Sequence, residues 1–222
     1  MITASVENYL KAVYYLQEES GDVSTSKLSE LLKIRPASVT GMIKKMAGIN
    51  LLVYQPYRTI KLTAKGRREA LKILRRHRLI ESFLVEIMGL PWNRVHQEAE
   101  KWEHVVSDDV VERMAQLLGN PKHDPHGAPI PNKHGAVTPS KNISLAEFPV
   151  AVDGIIAEVD DKNAELLRYL AQNGIRPGVR LRIISVEAAG GVMTITVAGK
   201  KRILSEKAAH KVYISPRVGK QP

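Results

Sequence analysis

Val6, Tyr9, Leu10, Val13 and Tyr14 recur at the spacing of one helix face, which predicts an amphipathic helix that Gly21-Asp22 breaks. Ser24, Thr25 and Ser26 then offer N-caps for a short helix holding Leu28, Leu31 and Leu32. Lys33-Ile34-Arg35 forms a tight connection, and Pro36 suits the first turn of a third helix, where its missing N–H costs nothing. Val39, Ile43 and Met46 make the buried face of that helix, leaving Ser38, Thr40, Gly41, Lys44 and Lys45 outward. Two β-prone runs, Leu51–Tyr54 and Thr59–Leu62, flank Gln55-Pro56-Tyr57-Arg58 and read as a hairpin. Helix, tight turn, helix and hairpin is the order of a winged helix-turn-helix, in which the second helix enters a major groove and the wing grips phosphates. A three-helix core without nucleic acid is the alternative.

Thr63 is placed to cap a long helix from about Ala64 to Met88, with Leu71, Leu74, Ile80, Phe83, Leu84 and Ile87 along its apolar side. A second helix is predicted over about Trp92 to Val106, and a third from Ser107 to Leu118. These helices carry more apolar surface than one short bundle uses, which points to a homodimer interface. Two-fold symmetry would also match a palindromic DNA site. Residues 120–142 hold five of the twelve prolines and mark a linker. Beyond it the period changes to two. Val150–Val152, Gly154–Val159, Leu181–Ile184, Met193–Val197 and Val212–Ile214 read as strands around one helix, about Ala164 to Gln172. The fold class is therefore mainly α with a small β-barrel, in three modules: 1–72, 73–142 and 143–222.

Composition narrows the classes. No run approaches the roughly 20 apolar residues of a membrane span, and Met1–Ser5 lacks the pattern of a signal peptide. Zero cysteines exclude a disulfide framework and a thiolate site, so a cytoplasmic protein is expected. The net charge of +10 is uneven: 12 basic residues against 6 acidic over 1–72, 9 against 9 over 73–142, and 12 against 8 over 143–222. A basic first third suits a nucleic-acid or anionic-membrane partner, or simply a solubilising surface.

The candidate chemistry lies in the neutral middle. In the run from His96 to His104, a continuous helix at about 100° per residue would gather His96, Glu100, Glu103 and His104 within an arc of about 100°. The preceding helix offers His77 and Glu81 at i, i+4. Nitrogen and oxygen donors without sulfur suit a divalent ion such as Mn(II), Fe(II) or Zn(II); a solvated helix face with ordinary side-chain pairs is the bland alternative. No H-E-x-x-H, nucleophile elbow or Gly-rich phosphate loop is present, so no enzyme is predicted.

Arg76-His77-Arg78-Leu79, Glu81, the run Val95–Val105 and the loop Pro125-His126-Gly127-Ala128-Pro129-Ile130-Pro131 resemble the diphtheria toxin repressor family of iron- and manganese-dependent repressors. The resemblance spans nearly the whole chain. It implies a winged helix, a helical dimerisation domain and an SH3-like barrel, with two metal sites per subunit. One site would use His77, Glu81 and His96, completed by Glu158 and Asp161. The regulatory site would use Glu100, Glu103 and His104 with a first-helix residue, here Asn8; Glu7 beside it would point about 100° away. Asp124 or His126 would stand in where some members bring a linker cysteine. Shorter manganese regulators have a carboxylate where this chain has Lys11, which argues against a two-metal cluster of that type.

Glu100, where iron-selective members carry cysteine, points to Mn(II) as cofactor, with Fe(II) the second candidate. On the DNA side the resemblance places Arg35, Pro36, Ala37, Ser38, Thr40 and Gly41 near bases and Lys44, Lys45, Tyr57 and Arg58 near phosphates. The implied function is repression of metal-uptake genes by a metal-loaded homodimer on double-stranded operator DNA. Two readings compete with it. One is a metal-independent winged-helix regulator that binds an organic ligand. The other is a metallohydrolase built on Glu100, Glu103 and His104.

Overall fold

The structure is a computed structural model and describes residues 2–55, 59–138, 141–187 and 191–215. It divides into two compact units: Met1–His77 with Trp102–Asp108 and Pro131–Val137, and Arg78–Lys101 with Asp109–Ile130 and Thr138–Pro222.

The first unit opens with α1 (Ala4–Ser20), capped by Thr3 and closed by Gly21 at φ 67°. Then come α2 (Thr25–Leu32), capped by Ser24, and α3 (Pro36–Gly48) with Pro36 in its first turn. The hairpin follows as β1 (Leu52–Val53) paired antiparallel with β2 (Lys61–Leu62). Val6, Leu10 and Val13 of α1 pack with Leu28, Val39, Ile43 and Met46, the faces that the helical period assigns. The long helix α4 (Ala64–Glu86) starts in this unit. Thr63 Oγ1 accepts from the Gly66 amide at 2.9 Å and donates to the Asn50 carbonyl at 2.8 Å. A Cβ at Gly66 would lie 2.0 Å from the Leu51 carbonyl oxygen, so only glycine lets the helix start this close to the hairpin.

The second unit takes the rest of α4, then α5 (Val95–Trp102) and α6 (Asp108–Leu117). The predicted helix to Val106 is cut short, because residues 103–106 form a turn and bend. Six strands follow: β3 (Ile143–Ser144), β4 (Asp153–Val159), β5 (Arg180–Glu187), β6 (Val192–Val197), β7 (Lys200–Ser205) and β8 (Val212–Ser215). They form one antiparallel sheet in the order β3-β8-β4-β5-β6-β7. Among the described residues these pairings leave β3 and β7 as edges, so the sheet is not seen to close into the expected barrel. The helices α7 (Ala164–Gln172) and α8 (Glu206–Ala209) cover its core of Ile156, Leu167, Ile183, Ile195 and Ile214.

Two strand readings change. Val150–Val152 is a turn with Ala151 at φ 63°, where a β-branched run would be strained. Lys200–Ser205 is a strand despite its basic start, being an edge strand with Leu204 alone buried. Among the described residues, no helix is long and apolar enough to cross a membrane.

Candidate metal centre

Four segments of the second unit converge on one buried cluster. The Glu81 carboxylate comes from α4 and is fully buried, and His96 comes from α5. The loop after α6 brings Asp124 and His126, and the turn after β4 brings Asp161. Glu81, Asp124, His126 and Asp161 each offer a ligand atom within 4.8 Å of the others, and Glu81, His96 and Asp161 do the same. His96 Nδ1 lies 3.2 Å from Glu81 Oε1 and 3.6 Å from Asp161 Oδ2, and His126 Nδ1 lies 3.8 Å from Glu81 Oε2.

The loop is built to present these atoms. Asp124 Oδ1 accepts from the amides of His126 (2.8 Å) and Ala128 (3.0 Å), which ties the turn to its own side chain. Gly127, at φ 92°, would place a Cβ 1.9 Å from the Ala157 carbonyl oxygen, so the loop can lie on β4 only with glycine here. The Val159 amide donates to the His126 carbonyl at 2.9 Å and completes that seat. His126 Nε2 donates to the Trp92 carbonyl at 2.9 Å, and the Trp92 ring stacks on the imidazole with centroids 5.5 Å apart. With Nε2 committed as a donor, Nδ1 of the neutral ring keeps its lone pair, the arrangement that orients metal-ligating histidines. His126 Nδ1 and Asp124 Oδ2 are buried without a hydrogen-bond partner among the described residues.

Glu81, Asp124 and Asp161 face the cation of Arg78, whose Nε is 3.6 Å from Asp124 Oδ2. Burial and the charge of Glu81 push Asp124 up to about 7. Burial would lower both histidines, but the carboxylates outweigh it: Asp161 and Glu81 raise His96 to about 10, and Glu81 and Asp124 raise His126 to about 9. Asp161 itself falls below its ordinary value, since the bond to His96 outweighs burial. Converging buried nitrogen and oxygen ligand atoms, three of them on carboxylates, and no sulfur together fit a hard-to-borderline divalent cation. Glu158, half-buried on β4 with its carboxyl raised by burial, does not join either group of converging ligand atoms.

The helix α5 ends at Trp102, short of the continuous helix that the arc of His96, Glu100, Glu103 and His104 assumed. Glu103 and His104 lie in the turn after α5, so the helical angle does not apply to them. Glu100 is exposed and sits 3.7 Å from His96 Nε2. In the first unit, the buried Glu103 carboxylate takes Lys11 Nζ at 2.6 and 2.9 Å and His77 Nδ1 at 2.5 Å. Burial would raise its pKa, but His77 and Lys11 hold it below the ordinary value. His104 has Glu7 Oε2 at 2.5 Å from Nδ1 and Asn8 Oδ1 at 2.9 Å from Nε2. Glu7 therefore joins Asn8 despite their angular separation on α1, because one imidazole ring spans both. The sequence marks Lys11 only as the residue in place of a carboxylate of shorter manganese regulators; a lysine inside the apolar stripe of α1 is the signal of its buried ion pair.

On α3, Arg35, Pro36, Ala37, Ser38, Gly41, Lys44 and Lys45 are exposed. Thr40 is half-buried, its hydroxyl donating to the Pro36 carbonyl at 3.0 Å. Tyr57 and Arg58 lie outside the described residues.

Residues 1–60 match the family model described as iron dependent repressor, N-terminal DNA binding domain. Residues 63–132 match iron dependent repressor, metal binding and dimerisation domain, and residues 143–216 match the FeoA domain. The iron-dependent repressor IdeR of Mycobacterium leprae is 32% identical over 95% of this chain and 96% of that protein. The diphtheria toxin repressor of Corynebacterium diphtheriae is 31% identical over 95% of this chain and 96% of its own length. A solved manganese-dependent transcriptional repressor in complex with manganese superposes with a TM-score of 0.88 at 35% identity, covering 94% of this chain and 98% of that one.

Proposed function

The chain belongs to the iron-dependent repressor family, and from that premise we propose that it is a metal-dependent transcriptional repressor. In this reading it binds palindromic operator DNA as a homodimer when loaded with Mn(II) and shuts off metal-uptake genes. The observation that carries the metal reading is the buried cluster of Glu81, Asp124, His126 and Asp161, with its unpartnered His126 Nδ1 and Asp124 Oδ2.

Those four residues would hold the ion, with His96 beside them and His77 one helical turn before Glu81 on α4. A bound divalent cation would supply the positive charge that the protons on His96 and His126 give the carboxylates in its absence. Glu81 and Asp161 bring carboxylates from α4 and from the turn after β4. His126 stays oriented by the Trp92 carbonyl, and Asp124 holds its loop with one oxygen while presenting the other. Oxygen donors at Asp124 and Asp161, without a thiolate, favour Mn(II) over softer ions. Fe(II) is the second reading, favoured by the iron-dependent repressors among the relatives.

The exposed face of α3 would read the operator, with Arg35, Pro36, Ala37, Ser38, Thr40 and Gly41 nearest the bases. Lys44 and Lys45 would neutralise phosphates. Ile87 and Met88 after α4, with Val110 and Leu117 on α6, are large apolar side chains about half exposed, and a second copy of the chain would cover them. The C-terminal sheet is read as the SH3-like module of this family. A gel shift on the protein's own upstream region tests the reading, with chelator, Mn(II) and Fe(II) in parallel lanes. Retardation in Mn(II) and none in chelator is expected; equal affinity in all three lanes would overturn it.

A further inference from the structure

The Glu103 cluster in the first unit differs in kind from the Glu81 cluster, although both gather carboxylates and histidines. Lys11 stands in the middle of the buried face of α1, and its side chain is 10% exposed against 0% for Glu103. Its Nζ contacts both carboxylate oxygens, at 2.6 and 2.9 Å, across 92 residues of sequence. The oxygen at 2.9 Å also takes His77 Nδ1. A second fixed cation lies alongside. Arg76 donates to the Glu103 carbonyl at 2.8 Å and to Asp108 Oδ1 at 2.7 Å, and comes within 3.7 Å of Glu7 Oε1.

Three carboxylates (Glu7, Glu103 and Asp108) therefore face two side-chain cations. In the Glu81 cluster three carboxylates face the fixed cation of Arg78 and two histidines, His96 and His126, whose ring nitrogens a metal ion can take in place of protons. A divalent ion entering at Glu103 would have to displace the Lys11 ammonium or share the carboxylate with it. Either course leaves a buried charge poorly compensated.

We propose that the Lys11 ammonium is the resident cation at Glu103, tying α1 to the 103–106 turn where a metal ion would otherwise do so. That tether is present whether or not metal is bound, and Glu103 is not a metal ligand in this chain. The inference rests on the metal reading of the Glu81 cluster only for where the bound ion goes.

The test is Mn(II) binding to the full-length protein by equilibrium dialysis, together with melting in chelator. The metal reading predicts that Glu81→Gln loses the bound Mn(II); retention there would overturn that reading alone. The Lys11 proposal predicts that Glu103→Gln keeps the wild-type number of bound Mn(II) ions. Loss of an ion in Glu103→Gln would overturn it. In chelator, Lys11→Met should melt several degrees below wild type, Lys11→Arg should recover most of the loss, and Lys11→Met combined with Glu103→Gln should melt above Lys11→Met. Coincident wild-type and Lys11→Met melting in chelator would also overturn the proposal. The melting readings need only that the variants fold, and a Lys11→Met chain that fails to fold beside a folded Lys11→Arg chain counts as the same loss.

Discussion

At the scale of single residues, His126 shows how a ligand is prepared before any ion arrives. Its Nε2 is spent on the Trp92 carbonyl and its ring is stacked on the Trp92 indole, so Nδ1 is aimed at Glu81. The carboxylates hold His126 and His96 protonated at neutral pH, at about 9 and about 10. A ligand nitrogen must shed that proton, so Mn(II) binding releases protons and its affinity rises with pH from 6 to 8. Titration calorimetry in buffers of different ionisation enthalpy measures the release, and a pH-independent affinity would contradict it. The same groups fix the sign for the metal-free protein. Their folded pKa values lie above the unfolded ones, so their stabilising contribution is full below about pH 6.5 and is lost through pH 9 to 10.

In the proposed site Asp124 is an oxygen donor that bears on the choice of metal. Asp124→Cys exchanges an oxygen donor for sulfur and should shift preference from Mn(II) toward Zn(II) by tenfold or more, roughly one step of ligand softness. Competition between the two ions checks it, and an unchanged ratio would count against Asp124 as a ligand.

At the scale of elements, α3 makes the clearest prediction. Gly41 is exposed in mid-helix, and a Cβ there would meet nothing within 4 Å, so nothing inside the described chain requires glycine. Gly41→Ala should stabilise the winged helix by about 1 kcal/mol from helix propensity. The added methyl lies on the face assigned to the bases and should weaken operator binding. Melting and gel shift together test it, and unchanged affinity would remove Gly41 from the interface.

The helices α1, α2 and α7 were legible because their apolar positions keep the helical period, and each has a side-chain cap: Thr3, Ser24 and Asn163 all accept from the next turn. The end of α5 was not legible. The period admits a helix through His104, and only the long-range ties of Glu103 to Lys11 and His77 show the turn. Likewise β7, with Lys200-Lys201-Arg202 at its head, offers little alternation to read.

Asp124, His126 and Asp161 could be named from resemblance, but their convergence with Glu81 depends on a loop seated against β4 by Gly127. No spacing along the chain encodes that contact.

At the scale of the whole molecule, the uneven charge acquires a division of labour. The basic first third supplies the DNA face, so operator affinity should fall steeply with salt, and Lys44→Ala with Lys45→Ala should flatten that slope by roughly two. The neutral middle contributes Glu81 and Asp124 to the buried cluster and the last third contributes Asp161, and the absence of cysteine keeps the donor set to nitrogen and oxygen. Both clusters bring together buried charges that are distant in sequence, but one is closed by a lysine and the other, in the proposed reading, takes a metal ion.

The most direct test of the account is an operator-binding isotherm taken against free Mn(II), for wild type and for Asp161→Asn. Wild type should bind half-maximally in the range where Mn(II) loads the protein, and Asp161→Asn should need at least tenfold more Mn(II), about the cost of a weakened ligand shell. Coincident curves, or operator binding by wild type in chelator, would contradict the assignment of the Glu81 cluster as the switch.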